Sequence, residues 1–582
     1  MILQSLHEYY QRKAADPESK IPPQGFGWKE IPFLIVIDKD GNFINLESVR
    51  VGASRKDFLV LKTRGRSGAN SWQTSNVLWD HYGYVLACPK DNTGKAKVDA
   101  QKQHSSFLAY VNELTEKYPL NEQFKAVKKF YEREDQRKDI LKHEYWNDCY
   151  KISGCNLSFK LVGETKLVAE HEDLKSFVIC DKKDEGESKG TGPINNTEGI
   201  CLITGERGEI AVLHTATSVP GGKSGGKLVG FQKNSGYDSY YKEQGLNAPV
   251  SKKAEDAYTT ALNTLLSKDS KNKFKITDTI VLFWAEKKTD FEKYFPFFFA
   301  CPQKDDPDRN SQEIKTLFES IRSGKLNADN NNKFYILGLA PNVARISVRF
   351  WKIRTVKEFG ESIAQHFEDL EIVRGKKDEH EYFSLFNLLT SIVLDYKMDN
   401  VPPNLTGALI ASILDGTPYP ATLQQQCIRR IRAEQHVTRV RAAILKAYLN
   451  KRNRCYKKNE KEITMALDPT NTNQGYLTGR LFAVLEKIQE EAQPGINSTI
   501  KDRYYGAASS TPVIVMPRLL GLSSHHLGKL NPGRKFNLER LVGEIINDID
   551  GNKNFPAHMS LDDQSRFAIG YYHQRQDLFT KK

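Results

Sequence analysis

The chain has 582 residues, 39% hydrophobic and 27% charged, which excludes a disordered or fibrous protein and leaves room for several folded domains. Lys and Arg outnumber Asp and Glu by 85 to 72, a formal charge of +13 with pI ≈ 9.0, which points to a polyanionic partner. No run approaches the ~18 apolar residues of a membrane span, the N-terminus does not read as a secretory signal, and eight scattered cysteines without Cys-x-x-Cys spacing exclude a disulfide framework; a cytoplasmic protein with reduced thiols is expected.

In chain order, "FLIVIDKDGNFINLESVRV" from Phe33 predicts a hairpin turning at Asp40-Gly41. The polar, Gly-rich stretch from Asp181 to Gly199 reads as a mobile loop. Ser251 caps a helix running to Lys268, with Ala257, Leu262 and Leu265 at helical spacing. Thr279–Glu286 and Phe334–Trp351 read as strands, the latter half-exposed where Ile346, Val348 and Phe350 alternate with Arg345, Ser347 and Arg349. "FPFFFAC" around Phe297 reads as core strand or loop. Beyond residue 356 the spacing turns helical. Leu405, Leu409, Ile413 and Leu414 share one face, as do Leu477, Leu481, Val484, Leu485 and Ile488, and again Leu538, Leu541, Val542, Ile545, Ile546 and Ile549. The fold class is α+β. An N-terminal mixed α/β domain (1–355) precedes a helical connector with a basic helix (356–464) and a C-terminal α-helical bundle (465–582).

"SVPGGKSGGKLVGFQ" (Ser218–Gln232) has the glycines and lysines of a phosphate cradle. Gly221 to Lys227 match G-x-x-x-x-G-K, but Leu228 stands where a hydroxyl should hold magnesium. In the frame ending Gly222-Lys223-Ser224, Thr217 replaces the first glycine. The apolar, strand-like continuation offers no helix N-terminus. An NTP-dependent enzyme is therefore the weaker reading. A nucleic-acid clamp is the stronger one, with Lys223, Ser224, Lys227 and Asn234 as contacts.

A second loop, "LKTRGRSGANSWQTSNVLWD" (Leu61–Asp80), carries Lys62, Arg64, Arg66, Asn70, Gln73 and Asn76 around Trp72. Arg and Lys suit guanine edges, and Asn and Gln suit adenine edges, so this loop is the candidate base reader. Two further basic elements suit phosphates: the strand holding Arg345 and Arg349, and "CIRRIRAEQHVTRVRAAILKAYLNKRNRCYKK" (Cys427–Lys458). Read as one helix, that segment puts Arg429, Arg432, His436, Arg439 and Lys446 on one side. Arg432 and Arg439, with Lys501, Arg503, Lys529 and Arg534 of the bundle, are the candidate strand-phosphate contacts.

Nothing in the sequence demands catalysis or a cofactor. Glu379–Phe383 and His525-His526 lack metal-ligand spacing, the latter suiting a helix end or a phosphate, and Tyr571–Gln576 suits packing or a nucleic-acid contact.

The ordered segments "GGKSGGKLVGF", "SYYKEQGLNAPVSKKAEDAYTTALNTLL", "ARISVRFW", "EYFSLFNLL", "GYLTGRLFAVLEKIQEEA", "DRYYGAASSTPVIVMPRLL", "HHLGKL" and "FAIGYYHQRQ" resemble the large subunit of the type I-C CRISPR surveillance complex, Cascade. Gly230, Gln232, Tyr237 and Tyr241 depart from the usual pattern. The resemblance implies a non-catalytic subunit beside the guide CRISPR RNA handle. Such a subunit reads the protospacer-adjacent motif in double-stranded DNA, promotes R-loop formation, holds the displaced strand and docks the helicase-nuclease. Its other partners would be the backbone, handle-binding and small subunits. Base pairing would read the remaining sequence, as in single-protein systems. The resemblance also implies that the C-terminal part is made separately as a small subunit, with Met465 the candidate start. The alternative is an architectural subunit that binds guide RNA without reading a motif.

Overall fold

The computed structural model describes residues 1–50, 56–62, 66, 70–175, 198–217, 219–222, 226–232, 236, 242–276, 278–299, 316, 319–323, 331–343, 345–375, 382–549 and 554–579. These divide into two compact units, Met1–Lys268 with Pro341–Ile346, and Asp269–Ala340 with Ser347–Lys582. The fold class is as expected, strands and helices mixed in the N-terminal region and helices dominating the C-terminal region.

In the first unit, helix α1 (Ile2–Ala14) precedes β1 (Phe26–Glu30), β2 (Phe33–Ile37), β3 (Phe43–Ser48) and β4 (Asp57–Leu61). The expected hairpin is β2–β3, and its turn is built by Asp38. That carboxylate accepts the backbone N–H of Asp40 (2.9 Å) and Asn42 (2.8 Å) and the Asn42 amide (2.7 Å). Gly41 supplies the left-handed residue, φ 78°. With β5 (Trp79–His81) and β6 (Asn156–Leu161) the hairpin completes a sheet of order β3-β2-β6-β5, with β2 and β6 parallel. All five β2 residues are buried, as an internal strand covered on both faces requires. Between β5 and β6 lie α2 (Tyr82–Leu86), α3 (Gly94–Lys117) and α4 (Glu122–Tyr131). Thr93 caps α3 through Ala96 N–H (3.3 Å), and Asn121 caps α4 through Gln123 and Phe124 N–H (3.0 Å each). The helix expected from Ser251 is α5 (Lys252–Leu266), with Ser251 Oγ accepting Ala254 N–H.

The second unit holds an antiparallel sheet of β7 (Lys273–Ile276), β8 (Thr279–Ala285), β9 (Lys333–Asn342) and β10 (Arg345–Thr355), in that spatial order. On one face Trp284, Tyr335 and Trp351 stack across three strands, the Tyr335 and Trp351 rings 5.6 Å apart and near parallel. Phe283 and Phe334 lie against α6 (Phe291–Phe299). "FPFFF" is thus helical and not strand or loop. Phe291, Phe295, Phe298 and Phe299 fall at i, i+4, i+7 and i+8 and are all buried. The strand β10 runs directly into α7 (Val356–Leu370), where Thr355 and Glu358 form a capping box.

Helix α8 (Leu405–Asp415) ends at Gly416 in the left-handed region, as its sequence predicts. The Cys427–Lys458 segment is two helices, α9 (Ala421–Glu434) and α10 (Arg439–Cys455). Gln435 (φ 53°) breaks the chain and Thr438 recaps it. Helices α11 (Gln474–Ala492), α12 (Ile500–Ser510), α13 (Pro512–Leu527), α14 (Pro532–Asn547) and α15 (Leu561–Phe579) follow. Every residue of α11 from Gly475 to Glu486 is buried, so it is the central helix of this bundle. Gly475 and Gly479 of α11 and Gly570 of α15 face backbone carbonyls of the opposite helix, at Asp563, Phe567 and Tyr476 respectively. A Cβ at any of the three would overlap that carbonyl, so the helices cross backbone on backbone. In α14 only Leu538 and Ile545 are buried, a narrower contact than the apolar positions from Leu538 to Ile549 suggest, and Ile549 lies beyond the helix end. Among the described residues no helix is long and apolar enough to cross a membrane.

Candidate nucleic-acid interface

The loop between β4 and β5 is anchored from below. Residues Ser71–Gln73 form a single 3-10 turn that follows Asn70, and Asn70 and Gln73 are exposed. Three successive features hold its carbonyls. The Tyr84 hydroxyl donates to Ser71 O (3.0 Å), Ser106 Oγ to Gln73 O (2.8 Å) and Arg66 Nε to Thr74 O (2.6 Å). Arg66 also forms a two-point ion pair with Asp80, which is 1% exposed, and lies 4.1 Å over the Tyr84 ring. Asp80 in turn accepts Asn76 N–H (2.8 Å) and His81 N–H (2.8 Å).

The six candidate base readers thus separate. Asn70 and Gln73 are presented outward. Arg66 has both its edges and one face committed to the protein. Lys62 is ion-paired with Asp256 (3.0 Å) and bonded to Thr260. Asn76 is buried at 6% exposure, which takes it off the exposed face. Arg64 lies outside the described residues. The reading of the loop alone missed Lys102 of α3, whose ammonium sits 5.5 Å from the Trp72 ring. Lys95, Lys102 and Ser106 fall at i, i+7 and i+11, so helical spacing could have placed them together.

At the glycine loop, Lys223, Ser224 and Asn234 lie outside the described residues. Thr217 N–H donates to Gly226 O (2.7 Å), and Gly221 takes φ 88°. Lys227 is half-buried and makes no hydrogen bond or ion pair among the described residues. Burial lowers its pKa, opposed by the Glu255 carboxylate. Residues 226–232 form neither strand nor helix, so the expected strand-like continuation is absent, as is a helix N-terminus after the loop.

The phosphate candidates also divide. Arg345, Arg432, Arg503 and Lys529 are exposed, Lys501 is half-exposed, and none of the five has an ion-pair partner among the described residues. Arg349 pairs with Asp278 (3.1 Å), and Arg534 grips Glu491 through two bonds of 2.7 Å. Arg439 is 9% exposed, its guanidinium 4.6 Å from the Phe383 ring, in the helix that starts after the break at Gln435. Lys446 is likewise buried, donating to Asp369 O (2.8 Å), so the long basic stripe does not form. What the fold does bring together is Lys501, at the start of α12, and His436, just beyond α9. Burial first, then the charges of Lys501 and Arg441, lower the His436 pKa.

No group of three or more metal-ligating side chains occurs among the described residues. His525 and His526 sit in the last turn of α13, a helix end. Tyr571, Tyr572, His573 and Gln574 are buried in α15, and Arg575 pairs with Glu490, so this segment serves packing.

A protein-family model described as CRISPR-associated protein (Cas_Csd1) matches residues 6–579. No curated protein matches the chain.

Proposed function

We propose, from the premise that this chain belongs to the CRISPR-associated Csd1 family and is a Cascade-type CRISPR protein, that it is the complex's non-catalytic large subunit. It reads the protospacer-adjacent motif in double-stranded DNA, promotes R-loop formation, holds the displaced strand and docks the helicase-nuclease, working in the cytoplasm on a guide-RNA complex. The observation that carries the motif-reading part is the pinned turn, which presents the amides of Asn70 and Gln73 from a basic chain. Exposed Arg432, Arg503 and Lys529 and half-exposed Lys501, without ion-pair partners among the described residues, suit the phosphates of a single strand, with Arg345 and Lys227 as further cations.

The test uses the assembled guide-RNA complex and a duplex pool randomised beside the guide-matched segment. The wild type should enrich a short motif, and Asn70→Ala or Gln73→Ala should lose ~1–3 kcal/mol of discrimination per lost base contact. A wild-type complex that enriches no motif would return the chain to the architectural guide-RNA-binding reading.

The segment 465–582 is proposed as a separately initiated small subunit. The backbone crossing of α11 and α15 lies wholly inside it, and Met465 is exposed in the segment before α11. In a C-terminally tagged gene, Met465→Leu should remove a short product. Its persistence would refute the start.

A further inference from the structure

We infer that Tyr84 and Ser106 are positioning residues for motif reading, holding Ser71–Gln73 as a preformed reading turn while touching no DNA themselves. This rests on the motif-reading role proposed above. A three-residue 3-10 turn has poor internal hydrogen-bond geometry and does not persist on its own. Here it has two bonds of its own, Gln73 N–H to Asn70 O (3.0 Å) and Thr74 N–H to Ser71 O (3.3 Å). Everything else that fixes it comes from outside the turn. Tyr84 on α2 holds its first carbonyl, Ser106 on α3 holds its last, and Arg66 holds the carbonyl that follows.

The anchors are themselves anchored. The Tyr84 ring lies under the Arg66 guanidinium, and its backbone carbonyl contacts His104 Nδ1 at 2.7 Å. The other His104 nitrogen meets Arg137 Nη1 at 3.1 Å. Burial pushes the Tyr84 phenol up to about 12, so its hydroxyl stays protonated and keeps donating at any physiological pH. A hydroxyl proton aimed at a turn carbonyl fixes where Asn70 and Gln73 point without occupying the surface they present.

Such a turn has its ordering cost met before DNA arrives. Fixing one residue's backbone costs roughly 1–2 kcal/mol, and a reader that folds only on binding takes that out of its affinity for the correct motif. The positioning role therefore acts on discrimination, and not on the general attraction to phosphate, which depends on charge. Neither Tyr84→Phe nor Ser106→Ala alters charge.

The measurement is selection from the randomised duplex pool by the assembled complex, with the salt dependence of binding and the thermal midpoint followed in parallel. Tyr84→Phe and Ser106→Ala should each reduce enrichment of the motif by about two- to tenfold, the worth of one net hydrogen bond. The salt slope should stay within error of wild type, and the midpoint should fall by no more than about 4 °C. If Asn70→Ala abolishes enrichment while both anchor variants retain it in full, the positioning role is wrong and the motif-reading proposal stands. Should Asn70→Ala and Gln73→Ala also retain full enrichment, both fall together. Ser106 is at the surface, so Ser106→Ala keeps the test open even if Tyr84→Phe unfolds the unit. An altered salt slope in either variant would also overturn the assignment, because it would mean a changed phosphate contact.

Discussion

At His573 the imidazole is 1% exposed, with Nδ1 3.0 Å from the Tyr476 hydroxyl. Burial above all, and then the Lys446 charge, pulls its pKa down to about 3. The unfolded chain takes up this proton below ~6.5, whereas the folded chain refuses it until about pH 3. Stability is therefore complete above ~6.5 and falls as pH drops toward 3, by at most ~1.4 kcal/mol per pH unit for this site. His366, fully buried and shifted the same way by burial, adds to the slope. Urea titrations between pH 7 and 4 should show this loss, and His573→Asn should shallow it. Composition could not announce such residues. The sequence marks "YYHQRQ" as aromatic and basic, which fits a nucleic-acid surface and a helix interface equally, and only the partner helix decides. Arg439 and Lys446 show the same ambiguity. A cation's identity is legible in the sequence, but whether carboxylates, carbonyls or rings already occupy it depends on residues distant in the chain.

Among the elements, amphipathic spacing foretold α5, α8, α11 and the β2–β3 hairpin, because each has one dominant period and a readable cap or turn. Two segments went astray for definable reasons. The phenylalanines of α6 carry helical spacing, but Pro296 and the unbroken apolar run hide it. The α9–α10 break rests on Gln435 adopting a left-handed conformation that glutamine rarely takes, and Thr438 was the one local sign of a new start. The α11–α15 crossing yields a prediction at this scale. Gly479→Ala should gain up to ~1 kcal/mol in helix propensity. It should still lose stability overall, by about 1–3 kcal/mol, because the methyl group meets the Phe567 carbonyl and the helices must part. Calorimetry against wild type would settle this, and an unchanged or raised midpoint would show that the crossing has slack.

Over the whole molecule the net charge is +13, and among the described residues the candidate cations divide into those with and those without an ion-pair partner. Removing a free one should be felt by nucleic acid, and removing a committed one by the fold. Arg432→Ala and Lys501→Ala should each flatten log K against log salt by about 0.7 for a single strand. Arg534→Ala should leave that slope alone and lower the unfolding midpoint, since Glu491 loses its two-point partner. A flattened slope for Arg534→Ala would reverse this sorting. The tight meeting of α11 with α15 also bears on how the gene can change length. The residues between them are mostly α12, α13 and α14, whose Tyr505, Met516, Leu538 and Ile545 share the same buried core, so only the short joints between helices can change length cheaply. Doubling the joint at 493–499, between α11 and α12, would cost roughly 0.6 kcal/mol. Insertions at that joint, just before Lys501 and Arg503, would remodel the cationic surface while the glycine contacts hold α11 against α15.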